Sequence, residues 1–151
     1  MIEVRTKVEF VAYLKLMYEL TYRKKVNLFL GIVGLLLVGI ALVKPAPFNF
    51  EFFLGCFFIL FIPLLTFWGS RKSFQFSPIL NSEVKYTFFP DRINLSVGES
   101  KSELVKKELT NIEETKDFFL LQLNKANLYP IPKKDLTSEE ISKVRELLFS
   151  K

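Results

Sequence analysis

The sequence predicts a membrane α+β fold: a two-helix transmembrane hairpin, plus a small cytosolic antiparallel β-domain that a C-terminal helix caps. Two observations predict it. Residues 26–43 and 52–69 are two runs of eighteen residues without a charge, and from residue 83 onward apolar and polar residues alternate as they do in half-buried strands. A chain of 151 residues is too short to hide two such runs in a soluble core.

Each apolar run is long enough to cross a bilayer. At about 1.5 Å per residue, a run of this length covers about 27 Å, close to the thickness of the hydrocarbon layer. Residues 44–51 connect the runs and contain two prolines, which indicates a tight turn between antiparallel helices. Gly31, Gly34 and Ala41 share one face of the first helix, and this face is expected to pack on the second helix or on a second copy.

Basic residues flank the hairpin on its outer sides. They are Arg23, Lys24, Lys25, Arg71 and Lys72, and we call them the basic collar. The only basic residue in the connecting loop is Lys44. By the positive-inside rule, this asymmetry places both termini in the cytoplasm and the protein in the cytoplasmic (inner) membrane. The simpler interpretation is that the collar residues only set the topology, but they are also candidate contacts for anionic lipid headgroups.

The chain divides into three segments. Residues 1–25 are predicted to form an N-terminal strand, which alternates over residues 2–10, and a juxtamembrane helix. Residues 26–72 form the hairpin, and residues 73–151 form the β-domain of about five strands with its C-terminal helix. Thr137 and Glu140 have the spacing of a capping box at the start of that helix.

The order of these elements resembles that of a known family. The stretch Asn-Ile-Glu-Glu-Thr-Lys-Asp-Phe-Phe-Leu-Leu at residues 111–121, followed by Ile-Pro-Lys-Lys at residues 131–134 and a terminal helix, resembles the YcxB-like family of small bacterial membrane proteins. The resemblance implies two spans and a cytosolic β-domain similar to pleckstrin-homology (PH) folds. It implies no particular biochemical activity.

The composition excludes several classes of function. The chain has no His and one Cys, which excludes a His-based triad, a His-ligated zinc site and an internal disulfide. Residues 74–151 contain twelve basic and twelve acidic residues, so the β-domain lacks the positive excess of a nucleic-acid-binding domain. Glu113, Glu114 and Asp117 are interpreted as a solvated turn. We expect no catalytic residue, cofactor or metal ion, and no enzyme activity.

The strand near the C-terminus is the candidate docking surface. Two prolines within residues 128–132 predict an edge strand, and edge strands can accept a partner. The candidate residues are Leu128, Tyr129, Ile131, Lys133 and Lys134. The sequence therefore favours a membrane-anchored, non-enzymatic adaptor that docks a protein partner. A self-protection (immunity) or envelope-stress protein and a lipid-binding module stay open as alternatives, and the expected partners are membrane lipid and an unknown protein or a second copy.

Overall fold

The computed structural model describes residues 1–46, 49–124 and 127–149. Pro47 and Phe48 of the predicted interhelical turn, and Lys125 and Ala126 of the turn predicted at 124–127, lie outside the described residues. The chain divides into two compact units. One consists of residues 11–73, and the other consists of residues 1–10 and 74–151.

The first unit is helical. Helix α1 spans Phe10–Tyr22, α2 spans Lys25–Leu42 and α3 spans Phe50–Phe76. Helices α2 and α3 are long and apolar enough to cross a membrane, by length and composition. Helix α3 continues seven residues past residue 69, where the predicted second span ends. Arg71 and Lys72 end the apolar run, but they do not end the helix. It stops two residues before Pro78, where a proline disfavours further helix.

The second unit contains a four-stranded antiparallel sheet. Its strands are β1 (Ile2–Lys7), β2 (Glu83–Phe88), β3 (Arg92–Val97) and β4 (Ser100–Val105), in the order β1-β2-β3-β4. Gly98 and Glu99 form a two-residue loop between β3 and β4, and the φ of Gly98 is +57°. A glycine at the first position of such a loop lets the two strands keep their natural twist.

A three-stranded antiparallel sheet follows. Its strands are β5 (Asn111–Glu114), β6 (Phe118–Gln122) and β7 (Leu128–Pro132), in that order. The short helix α4 (Pro78–Asn81) precedes β2, single 3-10 turns follow β4 and β7, and the chain ends in α5 (Ser138–Phe149). The predicted antiparallel sheets and C-terminal helix are therefore confirmed.

The two sheets and α5 share one hydrophobic core. The four-stranded sheet contributes Val4, Val84, Tyr86, Phe88, Ile93, Leu95 and Leu104; the three-stranded sheet contributes Phe119, Leu121 and Ile131; and α5 contributes Val144 and Leu148. The helix thus supplies the apolar stripe that its 3.6-residue periodicity predicts. Its start is fixed by the predicted capping box, in which the Thr137 N–H donates to Glu140 Oε2 at 2.7 Å and the Glu140 N–H donates to Thr137 Oγ1 at 3.3 Å.

The N-terminal strand belongs to the β unit. The sequence analysis predicts residues 1–25 as a separate segment. In the structure, β1 pairs with β2 along its whole length, from Ile2 opposite Phe88 to Lys7 opposite Glu83. Val4 and Thr6 are buried in this unit while Glu3, Arg5 and Lys7 face solvent. A strand with one apolar face needs a sheet to cover that face, and its partner lies about eighty residues away in the chain.

Candidate membrane and docking surfaces

Helices α2 and α3 bury few of their apolar side chains. Only 11% of the most apolar window of each helix is buried, although the mean hydropathy of each window is 2.2. Phe29, Leu35, Phe53 and Leu64 are each at least 60% exposed, as is Trp68. The core helix of a soluble unit buries such residues. Packing against other described residues therefore does not explain why α2 and α3 are so apolar.

The two helices cross at a pair of glycines. A Cβ placed on Gly34 would lie 2.9 Å from the Gly55 carbonyl oxygen, and one placed on Gly55 would lie 2.7 Å from the Gly34 carbonyl oxygen. The backbones approach this closely only because neither residue has a side chain. Of the face predicted from the sequence, Gly34 and Ala41 are buried, but Gly31 has open space around it. No local signal in the sequence identifies Gly55 as the partner of this face.

Helix α1 packs beside the last part of α3. The Tyr18 hydroxyl donates to the Pro63 carbonyl oxygen at 3.0 Å, and Thr21 Oγ1 lies 3.5 Å from Thr66 Oγ1. The chain then turns into α2, where the Asn27 amide donates back to the Thr21 carbonyl oxygen at 2.8 Å. These contacts bring the start of α2 close to the part of α3 that precedes Arg71.

The basic collar lies at the start of α2 and in the last two turns of α3. All five of its side chains are exposed. Arg23 forms an ion pair with Glu19 one turn earlier, at 2.7 Å, with both side chains nearly half exposed. Exposed pairs of this kind are weak. That these five side chains contact lipid headgroups stays a prediction.

The predicted docking strand is only partly accessible. Leu128 and Tyr129 are half-buried, whereas Ile131 is fully buried in the core. The Lys133 N–H donates to the Asp117 carbonyl oxygen at 2.9 Å. Because hydrogen-bonded pairs alternate along an antiparallel ladder, the backbones of Pro130 and Pro132 point away from β6. Prolines have no N–H, so the outer edge of β7 has few donors for an added strand.

The two lysines after this strand have different surroundings. Lys133 is largely buried: its ammonium group donates to Glu114 Oε1 at 2.7 Å and lies 4.7 Å from the centre of the Phe119 ring. Lys134 is half exposed and forms an ion pair with Glu9, which raises the pKa of Lys134 through the hydrogen bond from its own ammonium group. Lys133 thus joins parts of the β unit, and Lys134 remains at the surface.

Glu114 is the centre of an ionic network within the β unit. Besides Lys133, it accepts a hydrogen bond from Arg145 of α5, whose Nε lies 2.8 Å from Oε2. The Arg145 and Lys133 hydrogen bonds lower the pKa of Glu114 to about 2, against an ordinary value near 4.5. The network joins β5, the turn after β7 and α5. Its groups already satisfy one another, so it has the properties of a structural cluster.

The outer strand of the other sheet is more accessible. Residues Ser100, Lys101, Ser102 and Glu103 of β4 are all exposed, and β4 pairs only with β3 in the part of the chain described. Beside it lies a groove of about 220 Å³, lined by Pro78, Ile79, Leu95, Val97, Ser100 and Ser102. The sequence predicts a strand here only at about residues 102–109, two residues later than β4 begins. No local pattern reveals the free edge, because the edge depends on sheet order.

Within residues 1–46, 49–124 and 127–149, no group of three His, Cys, Asp or Glu side chains could hold a metal ion. Cys56 is half-buried in α3 and has no disulfide partner. Of the three carboxylates interpreted as a solvated turn, Glu114 is instead engaged in the network above.

The comparisons with known proteins support the family resemblance. Neither the curated proteins nor the solved structures contain a match to this chain. Residues 88–148 match the family described as YcxB-like protein. The matched segment begins at the last residue of β2 and includes the Glu114 network and most of α5. The YcxB-like assignment that the sequence suggested is thus confirmed over residues 88–148.

Proposed function

We propose that this chain is a non-enzymatic docking protein of the cytoplasmic membrane, anchored by the α2–α3 hairpin with both termini in the cytoplasm. The exposure of apolar side chains around both helices carries the proposal. Lipid would cover these side chains and would remove the cost of their contact with water. The backbone of each helix is satisfied internally, as the hydrocarbon layer requires.

The basic collar supports the proposed orientation. Five exposed basic side chains lie at the end of the hairpin where α2 begins and α3 ends. At the other end, Lys44 forms an ion pair with Glu51. Under the positive-inside rule the collar faces the cytoplasm, and it would also meet the anionic headgroups of that leaflet.

The β unit supports the docking role. From the family resemblance we infer that its two antiparallel sheets and C-terminal helix form a PH-like docking domain. At the predicted docking strand the accessible side chains are Leu128, Tyr129 and Lys134. A partner at this strand would make side-chain contacts, because the prolines of β7 leave few backbone donors.

Insertion and orientation are tested together by cysteine labelling. In a Cys56→Ser background, Lys44→Cys should react with a membrane-impermeant maleimide from the outer side of right-side-out vesicles. Lys143→Cys should react only in inverted vesicles. Alkaline carbonate should leave both variants in the membrane pellet. Release into the supernatant, or labelling of both positions from the same side, would overturn the proposal.

Partner docking is tested by photo-cross-linking in native membranes. A photoreactive amino acid at Leu128 should give a discrete adduct with a second protein. The same amino acid at Asp91, in the exposed turn between β2 and β3, is the matched control and should give none. Adducts of equal yield at both positions, or no protein adduct at Leu128, would contradict docking at β7.

A further inference from the structure

The hydrogen-bond pattern between β3 and β4 determines which backbone groups of β4 point away from the sheet. The Lys106 N–H donates to the Asp91 carbonyl oxygen at 2.9 Å, just beyond the end of the β3–β4 ladder. Hydrogen-bonded pairs alternate along an antiparallel ladder, so Leu95–Ser102 is also a hydrogen-bonded pair. The backbone N–H and C=O groups of Lys101 and Glu103 therefore point away from β3, and no described strand pairs with them.

The side chains of β4 carry a self-complementary pattern around Ser102. Lys101 and Glu103 flank this serine and lie together on the outer face of the sheet, opposite to Ser100 and Ser102. All four side chains are exposed. If two copies of β4 run antiparallel about a two-fold axis at Ser102, Lys101 of each copy lies directly opposite Glu103 of the other. The same register brings the outward backbone groups of these two residues into hydrogen-bonding position.

The two neighbouring two-fold registers lack this complementarity. An axis at Lys101 would place two ammonium groups opposite each other, and an axis at Glu103 would do the same with two carboxylates. Like charges directly opposite one another destabilise a strand pair. We propose that a second copy of this chain pairs with β4 about Ser102 and joins the two four-stranded sheets into one of eight strands.

The surface beside β4 is compatible with this occupant. Serines at positions 100 and 102 leave the groove next to the edge unfilled, with Leu95 and Val97 in its wall. In the proposed register, Leu104 of the second copy lies opposite Ser100, next to this groove. The contact is isologous, so it closes with two copies and does not propagate into a filament. This inference goes beyond the proposed function and concerns a different strand from the β7 docking surface.

A disulfide at the two-fold axis tests the register. Directly opposite residues at a pair without mutual hydrogen bonds have Cα atoms about 4.5 Å apart, which is within the range of about 4.4–6.8 Å for disulfides. In the Cys56→Ser background, Ser102→Cys should form a disulfide-linked dimer in native membranes under mild oxidation. Ser100→Cys is the matched control, since it lies on the same strand and face but is four residues away from its copy. Equal cross-linking of both variants, or none with Ser102→Cys, would overturn the proposal.

Charge reversal with rescue tests the pairing itself. Lys101→Glu and Glu103→Lys should each weaken dimerisation of the full chain in a mild detergent by about tenfold, because each change creates two like-charge pairs per dimer. The double variant exchanges the two charges and should restore dimerisation. Glu99→Lys, in the turn before β4, controls for a general effect of charge. Failure of the double variant to recover would contradict the register.

The result is separable from that of the proposed function. Carbonate extraction of the same variants reports membrane insertion, which changes in β4 should leave intact. If Ser102→Cys cross-links to a different protein and never to a second copy, the β4 edge serves another partner and self-pairing is overturned.

Discussion

At the residue scale, Glu114 shows which contacts the sequence alone could not predict. The run of carboxylates at residues 113–117 predicts a solvated turn, which is what local sequence indicates for clustered charges. The structure instead gives Glu114 two cationic partners, Lys133 and Arg145, which lie 19 and 31 residues further along the chain. These residues come together only through the pairing of strands and the packing of α5. No periodicity or spacing in the sequence predicts such contacts.

We predict that Glu114→Gln lowers the free energy of unfolding by about 1–3 kcal/mol at neutral pH, because it weakens charge-assisted hydrogen bonds and leaves Lys133 without its counter-charge. The pKa of Glu114 is lowered in the folded state to about 2 from about 4.5. Its stabilisation is therefore fully present above pH 4.5 and is lost as the pH falls toward 2. Thermal unfolding of the full chain in detergent across this range measures the difference between wild type and variant.

A control separates this effect from a general change in charge. Glu99→Gln removes an exposed carboxylate from the β3–β4 turn, and its unfolding should match that of the wild type at every pH. A gap between Glu114→Gln and wild type that stays constant from neutral pH to pH 2 would mean that the ionised carboxylate is not the stabilising species.

At the element scale, local signals were predictable and distant pairings were not. The apolar runs, the capping box at Thr137 and the alternation in β2 and β3 each arise within one segment, so the sequence alone revealed them. The pairing of β1 with β2 spans the entire hairpin, and the crossing of α2 on α3 at Gly55 depends on how two helices are rotated. The free edge of β4 is likewise a property of sheet order.

The helix crossing gives a second prediction. Gly34→Ala and Gly55→Ala should each destabilise the hairpin by about 1–3 kcal/mol, because the added methyl group would lie under 3 Å from the backbone of the facing helix. The measurement is the resistance of the full chain to thermal unfolding and to proteolysis in detergent.

The same helix provides matched controls. A methyl group at Gly31 or Gly39 meets nothing within 4 Å, and alanine favours the helical conformation over glycine. Gly31→Ala and Gly39→Ala should therefore leave stability unchanged or raise it slightly. If all four variants behaved alike, the close approach of α2 and α3 at Gly34 and Gly55 would be refuted.

At the scale of the whole molecule, the charge is divided unequally between the two units. Residues 1–10 and 74–151 contain fourteen basic and fourteen acidic residues, whereas residues 11–73 contain seven basic and two acidic ones. The formal net charge of +5 is therefore located entirely in the helical unit. Any attraction between this protein and an anionic surface must arise mainly from that unit, and within it from the basic collar.

This division predicts a lipid dependence that topology alone does not require. Anionic phospholipid should raise the unfolding temperature of the full chain in detergent more than zwitterionic phospholipid does, and added salt should reduce the difference. Replacing the five collar residues by glutamine should abolish most of the difference between the two lipids, since each basic group near an anionic surface contributes about 1 kcal/mol. Replacing Lys116 and Lys143 of the neutral β unit by glutamine is the control and should preserve it. Equal responses to the two lipids would limit the collar to setting orientation, whereas a selective loss in the collar variant would make it a headgroup-binding surface.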